Sequence, residues 1–142
     1  MLIPDINVLV YARRDDSVDH ARYLDWLERA LSGVEPVGLV TPVMAGFLRV
    51  VTNPRVFAQP TSIEDALVFV EAVLDTPASV VPSPSARQSG IFFEVCRKVG
   101  AKGNVVPDAW LAATAIDLDA TLVTADRGFA RFAGLRWRHP LD

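Results

Sequence analysis

Met1-Leu-Ile-Pro-Asp5-Ile-Asn7-Val-Leu-Val10 opens the chain with two polar residues set one position apart in an apolar run. Leu2 to Val8 reads as a buried strand, because it is short, apolar and lacks helical spacing. In a strand, residues i and i+2 share a face. Asp5 and Asn7 would then point together at the carboxyl end, where open α/β sheets place their ligands. A carboxylate so deep in apolar sequence is costly to bury unless something positive meets it. A second reading gives Asp5 the plainer task of capping a following helix or turning the chain.

Outward from this stretch, strands and helices alternate. His20 to Leu31 is helical, with Tyr23, Leu24, Leu27, Ala30 and Leu31 at three- and four-residue steps and Gly33 closing it. Pro36 to Val40 is a second strand. Thr41-Pro42 starts a helix that runs to Val51, with the threonine hydroxyl as cap. Thr52 to Pro60 is a loop broken by Pro54 and Pro60. Ser62 caps a helix with Asp65 three residues on, and Ser79 to Val81 is a third strand. Helices follow over Ser85 to Val99 and Pro107 to Leu118, then a strand over Thr121 to Thr124 and a short helix over Asp126 to Phe132. Leu135 to Arg138 forms an edge strand. This alternation predicts a three-layer α/β/α domain around a mostly parallel sheet.

The 142 residues suit one domain with a single core, spanning 1-142. Hydrophobic residues at 51% and charged residues at 22% are a globular balance. Cys96 has no partner for an internal disulfide and suits a reducing compartment. The most apolar long window, Val34 to Val51, carries Glu35, Pro36, Pro42 and Arg49 and is no membrane span. No secretory leader pattern is present, so a cytoplasmic location is expected. The net charge of −3 argues mildly against nucleic-acid binding through bulk charge, while leaving room for a local basic surface. Arg13, Arg14, Arg49, Arg55 and Arg127 flank the motifs and are candidates for phosphate contacts; a solvated surface explains them equally well.

Two further acids stand out. Asp108 opens a helix and heads the stripe Leu111, Ala112 and Ala115 that would pack on the sheet. Thr124 and Asp126 are delivered two residues apart at the end of the strand Thr121 to Val123, with capping as the alternative for Asp126. Parallel strands share one carboxyl edge, so Asp5, Asp108 and Asp126 are placed to converge. Clustered carboxylates without His or Cys are ligands for a hard cation, Mg²⁺ or Mn²⁺. His20 and His139 are remote in sequence, which argues against zinc. No phosphate-binding glycine loop, Ser-His-Asp set or Cys-His pair is suggested by spacing. A phosphatase using paired aspartates is disfavoured because Asn7 stands where the second aspartate would be.

In this order and spacing the motifs resemble a PIN-domain ribonuclease toxin of the VapBC toxin–antitoxin family. The likeness rests on Asp5-Ile-Asn7, Gly46 to Phe57, Asp108-Ala-Trp-Leu-Ala-Ala, Thr124-Ala-Asp126-Arg-Gly-Phe129 and Gly134-Leu-Arg-Trp137. The resemblance implies a PIN-like fold and the toxin of a type II toxin–antitoxin system, an Mg²⁺-dependent endoribonuclease. It implies metal binding by Asp5 and Asp108, a supporting metal or water role for Asp126, and an orienting role for Asn7 and Thr124. An antitoxin protein and an RNA substrate are the implied partners. Exposed apolar faces on the early helices are candidates for antitoxin docking or for a homodimer. The sequence departs from the family at one place. The glutamate that many PIN domains carry after the second strand would fall near Met44, and Val43, Met44 and Ala45 are not acidic. A single firmly held Mg²⁺, with a second recruited by RNA phosphate, is therefore expected. The alternative is a catalytically weak or inactive PIN-like module that binds RNA or an antitoxin.

Overall fold

The computed structural model describes residues 1–142. Five strands form one sheet: β1 (Leu2–Pro4), β2 (Val37–Gly38), β3 (Ser79–Val80), β4 (Thr121–Val123) and β5 (Arg136–Arg138). Six helices accompany them: α1 (Ile6–Arg13), α2 (His20–Leu31), α3 (Thr41–Val51), α4 (Ile63–Leu74), α5 (Gln88–Val99) and α6 (Val105–Asp117). A 3₁₀ turn over Arg127–Arg131 leads to β5. The strand order is β3-β2-β1-β4-β5 and every pairing is parallel, with Leu2 opposite both Val37 and Thr121. The expected α/β/α architecture is present: α1 packs on α2 and α3, α3 on α4, and α5 on α6. No helix is long and apolar enough to cross a membrane.

The order of strands decides where the site lies. From β1 the chain steps outward to β2 and β3, then returns to place β4 on the other flank of β1. The carboxyl ends of β1 and β4 thus bound a switch point, the crevice where doubly wound sheets bind ligands. Ile3, Val37 and Leu122 fill the sheet's centre, and Val8, Leu9, Leu27, Phe47 and Phe129 close over it.

One expectation fails here. The first strand does not reach Val8; it ends at Pro4, and Asp5 is the N-cap of α1, with extended backbone (φ −77°, ψ 163°). Asp5 and Asn7 therefore do not share a strand face. The strand reading failed because Val8, Leu9, Val10 and Ala12 are all buried, so α1 has no polar face on this stretch to show a helical period. Helix α1 was consequently missed.

Smaller corrections follow from local chemistry. Helix α2 ends at Ser32, and Gly33 lacks the left-handed backbone of a glycine cap. Helix α3 has the expected bounds, but Val40 occupies the cap position and the Thr41 hydroxyl caps nothing. Ser62 caps α4 as expected, its hydroxyl accepting from Asp65 N at 3.1 Å. Helix α5 begins three residues later than Ser85, whose amide and hydroxyl are both held by the Asp117 carboxylate at 2.6 Å. Helix α6 begins at Val105, so Asp108 lies within the first turn instead of at its opening.

Candidate functional site

Asp5 is fixed by the junction it caps. Its backbone N–H donates to Val123 O at 2.8 Å, joining the ends of β1 and β4. Its carboxylate is 7% exposed and accepts three hydrogen bonds. Ile6 N donates to Oδ1 at 2.7 Å, and Oδ2 takes Asn7 Nδ2 and the Thr124 hydroxyl, each at 2.7 Å. Asn7 also reaches across with Oδ1, which accepts from Ala125 N at 3.0 Å. Thr124 is fully buried; besides donating to Asp5, its oxygen accepts from Asn7 Nδ2 at 3.1 Å and from Asp126 N at 3.0 Å. The network is a clasp between two loop ends. It explains why Asn7 and Thr124 serve Asp5 despite the failed strand geometry.

Asp126 combines the two readings offered for it. Its Oδ1 accepts from Gly128 N at 2.7 Å, capping the 3₁₀ turn, while the side chain also borders the cavity beside Asp5. A Cβ at Gly128 would fall 2.8 Å from Asp126 Oδ1 and 2.6 Å from Arg131 Nη2, so a side chain there would displace the ends of both. Asp108 arrives from α6, whose Leu111, Ala112 and Ala115 are buried on the sheet as expected. The three aspartates, from three separate segments, line one cavity of about 480 Å³ together with Asn7.

Electrostatics sets these acids apart from the surface carboxylates. Burial, opposed by the hydrogen bonds of Thr124, Ile6 and Asn7, pushes the Asp5 carboxyl above its usual 3.8, and the Asp126 charge adds to the rise. Burial also raises Asp108, followed by repulsion from Asp5 and Asp126; Arg131 opposes it only in part. By contrast Asp16, Asp117 and Asp142 are all lowered by hydrogen-bonding partners.

The donor set fits a hard divalent cation. All three groups are carboxylates, Asp108 has no hydrogen bond among the causes of its shift, and the cavity concentrates negative charge. The side chains do not stand as a closed cage, since no three His, Cys, Asp or Glu groups are near enough to hold an ion together as placed. Val43, Met44 and Ala45 do not border the cavity, and α3 supplies no acid there. Glu94 is exposed and paired with Lys98 at 2.7 Å, away from the site.

Several features of the site were not read from the sequence. Tyr11, Val56, Phe57 and Phe129 form apolar walls of the cavity. Gly46 lets α3 approach α1, since a Cβ there would meet Ile6 Cδ1 at 2.2 Å, between Asp5 and Asn7 in sequence. Arg14, a candidate for RNA contact, is instead buried: it stacks on Phe57 at 4.0 Å and donates to Gln59 O at 2.8 Å and to Asp16. Arg127 pairs with Asp142 at 2.7 Å.

Comparison with known proteins identifies the family and the fold. The family described as PIN domain matches residues 2–135. VapC ribonuclease Mb2897 of Mycobacterium bovis is 52% identical over 142 residues, covering 100% of this chain and 97% of that protein. Ribonuclease VapC25 of Mycobacterium tuberculosis is 38% identical over 140 residues, covering 99% of each. Among solved structures, VapBC2 from Rickettsia felis, bound to a DNA fragment from its promoter, superposes with a TM-score of 0.73 at 20% identity, over 97% of both chains. FitAB bound to a DNA fragment superposes with a TM-score of 0.67, over 100% of this chain and 96% of that one. At these identities the structures attest the fold, and the sequence relatives carry the closer kinship. The chain belongs to the PIN-domain family, among the VapC ribonucleases.

Proposed function

We propose that this chain is the toxin of a type II toxin–antitoxin system, an endoribonuclease that depends on Mg²⁺, with Mn²⁺ as a substitute. The observation that carries the reading is the convergence of Asp5, Asp108 and Asp126 on one cavity, where burial and the neighbouring carboxylates act against the ionised forms of Asp5 and Asp108. Arg131 offsets this only in part, and a divalent cation would supply the remaining counter-charge. The names of the relatives, ribonucleases, support the activity, and the VapBC and FitAB neighbours support an antitoxin partner.

Asp5, Asp108 and Asp126 would hold the ion. The chemistry Mg²⁺ would supply there is a lowered pKa for a bound water, polarisation of the scissile phosphate and neutralisation of charge on the leaving oxygen. The chain's own contribution is placement. Asn7 and Thr124 tie one oxygen of Asp5, leaving Oδ1 with a single backbone donor and spare acceptor capacity. Gly128 N holds Asp126 Oδ1 and leaves Oδ2 free of that bond. With no acid on α3, these residues would hold one ion firmly, and RNA phosphate would supply ligands for a second.

The test is RNA cleavage by purified protein with Mg²⁺, beside Asp5→Asn and Asp108→Asn. Cleavage by the wild type and loss in both variants is expected; equal cleavage by all three would sink the nuclease reading. Binding of RNA or antitoxin without any cleavage would favour the inactive module instead. Calorimetric titration without RNA should find one tight Mg²⁺ site, and two tight sites would count against the single-ion arrangement.

A further inference from the structure

The cavity has a second half that the acids do not use. Besides Asp5, Asp108 and Asp126 it is lined by Tyr11, Val56, Phe57 and Phe129. These walls are not alike. Phe129 is buried to 2% and packs on Phe132 with ring centroids 5.6 Å apart. Tyr11 is engaged edge-on by Tyr23 at 5.0 Å. Phe57 is half-buried, on the loop between α3 and α4.

That loop is built to hold Phe57 in place. The Arg14 guanidinium lies 4.0 Å from the ring centroid and covers one face. The same guanidinium donates to Gln59 O at 2.8 Å and to the Thr61 hydroxyl at 3.2 Å, and it forks onto Asp16. Asn53 Oδ1 accepts from Arg55 N at 2.9 Å, and Phe57 N donates to Asn53 O at 3.1 Å. With its position set and one face covered by Arg14, the ring still contributes to the lining of the cavity that holds the three acids.

We infer that Phe57 is a stacking platform for an unpaired nucleobase next to the scissile phosphate of single-stranded RNA. The inference rests on the nuclease reading above and extends it. A phosphodiester at the carboxylates leaves an adjoining base within reach of the apolar wall, because both line one cavity of about 480 Å³. Single-stranded RNA is recognised by stacking splayed bases on aromatic rings. The wall near Phe57 offers apolar surface in place of a set of hydrogen-bonding groups, so stacking there tolerates different bases. An apolar side chain from a protein partner is the competing occupant; it lacks the phosphate that would draw it to the cation-binding half.

The experiment measures binding, separately from cleavage. In the Asp108→Asn background with Mg²⁺, a short single-stranded RNA is substituted with 2-aminopurine at one position after another. Quenching at one position is expected, reporting a stacked base. Phe57→Leu keeps apolar bulk without a ring and should remove that quenching and weaken binding roughly 5- to 150-fold; Phe57→Trp should retain both. Binding and quenching unchanged in Phe57→Leu would overturn the inference. So would unchanged RNA binding with loss of antitoxin binding, which would assign the wall to the protein partner. Should Phe57→Leu not fold by circular dichroism, 4-thiouridine crosslinking of RNA to the Asp108→Asn chain decides. Crosslinks in residues 52–61 support the platform, and crosslinks confined elsewhere refute it. Ring-dependent quenching in a protein whose wild type cuts no RNA would uphold the platform while the nuclease reading fell.

Discussion

Replacing Thr124 by Val tests the clasp that holds the site together. The two side chains have nearly the same shape, so the change removes an oxygen without opening a cavity. That oxygen donates to Asp5 Oδ2 at 2.7 Å and accepts from Asn7 Nδ2 at 3.1 Å and Asp126 N at 3.0 Å. A hydrogen bond to a charged group contributes about 1.5–3 kcal/mol, and a buried group left unpaired costs about 1–3 kcal/mol. Asn7 keeps its bond to Asp5, and Asp126 is exposed enough for water to take over its N–H. The loss to Asp5 therefore dominates, for a total of about 2–4 kcal/mol. In a domain of this size that lowers Tm by about 5–12 °C. Urea denaturation without divalent cations, at about pH 7.5, is the assay. Thr124→Ser should stay within about 1 kcal/mol of the wild type, because it keeps the hydroxyl. In a double-mutant cycle with Asp5→Ala, a coupling of about 1–2 kcal/mol is expected. Thr124→Val within about 0.5 kcal/mol of the wild type would refute the reasoning.

Neutralising Asp108 should do the opposite. Repulsion from Asp5 and Asp126 makes the ionised form unfavourable in the fold, so Asp108→Asn should raise Tm of the cation-free protein by about 1–3 °C while abolishing cleavage. The sign with pH follows from the raised folded-state pKa. The folded protein binds more protons than the unfolded chain between the usual 3.8 and the raised value, so the penalty is present at neutral pH and fades as pH falls through that window. The advantage of Asp108→Asn should accordingly shrink as pH falls from neutrality toward the usual 3.8, as measured by paired denaturation curves. Gly46→Ala adds a Cβ 2.2 Å from Ile6 Cδ1; overpacking of about 1–3 kcal/mol, offset by about 1 kcal/mol of helix propensity, should leave a net loss of stability and reduced cleavage. Gly128→Ala should disturb Asp126 more than the fold, with stability within about 1 kcal/mol of the wild type and a larger drop in cleavage, checked by thermal melts beside RNA assays.

Much of this protein follows from the chain read alone. Alternating strands and helices specify a parallel sheet because each strand's apolar run is bounded by turn residues, and the helices at 20–31, 41–51 and 63–74 show their period because one face of each meets water. Asp5, Asp108 and Asp126 could be singled out as acids near apolar strands or helix starts, and a shared carboxyl edge made their meeting a reasonable expectation. Local pattern could not yield α1, whose buried run from Val8 to Val10 lacks a polar side, nor the cap geometry of Asp5 that depends on it. Tertiary structure alone decided the rest. The Asn7–Thr124 contact joins residues 117 positions apart, and the Arg14–Phe57 wall joins α1 to a loop across more than forty residues. Such partners carry no local signal, because each is selected by the space and charge that the folded neighbour leaves open. The acids are written in the sequence; the clasp that orients Asp5 and the wall that faces it exist only once β1 and β4 lie side by side.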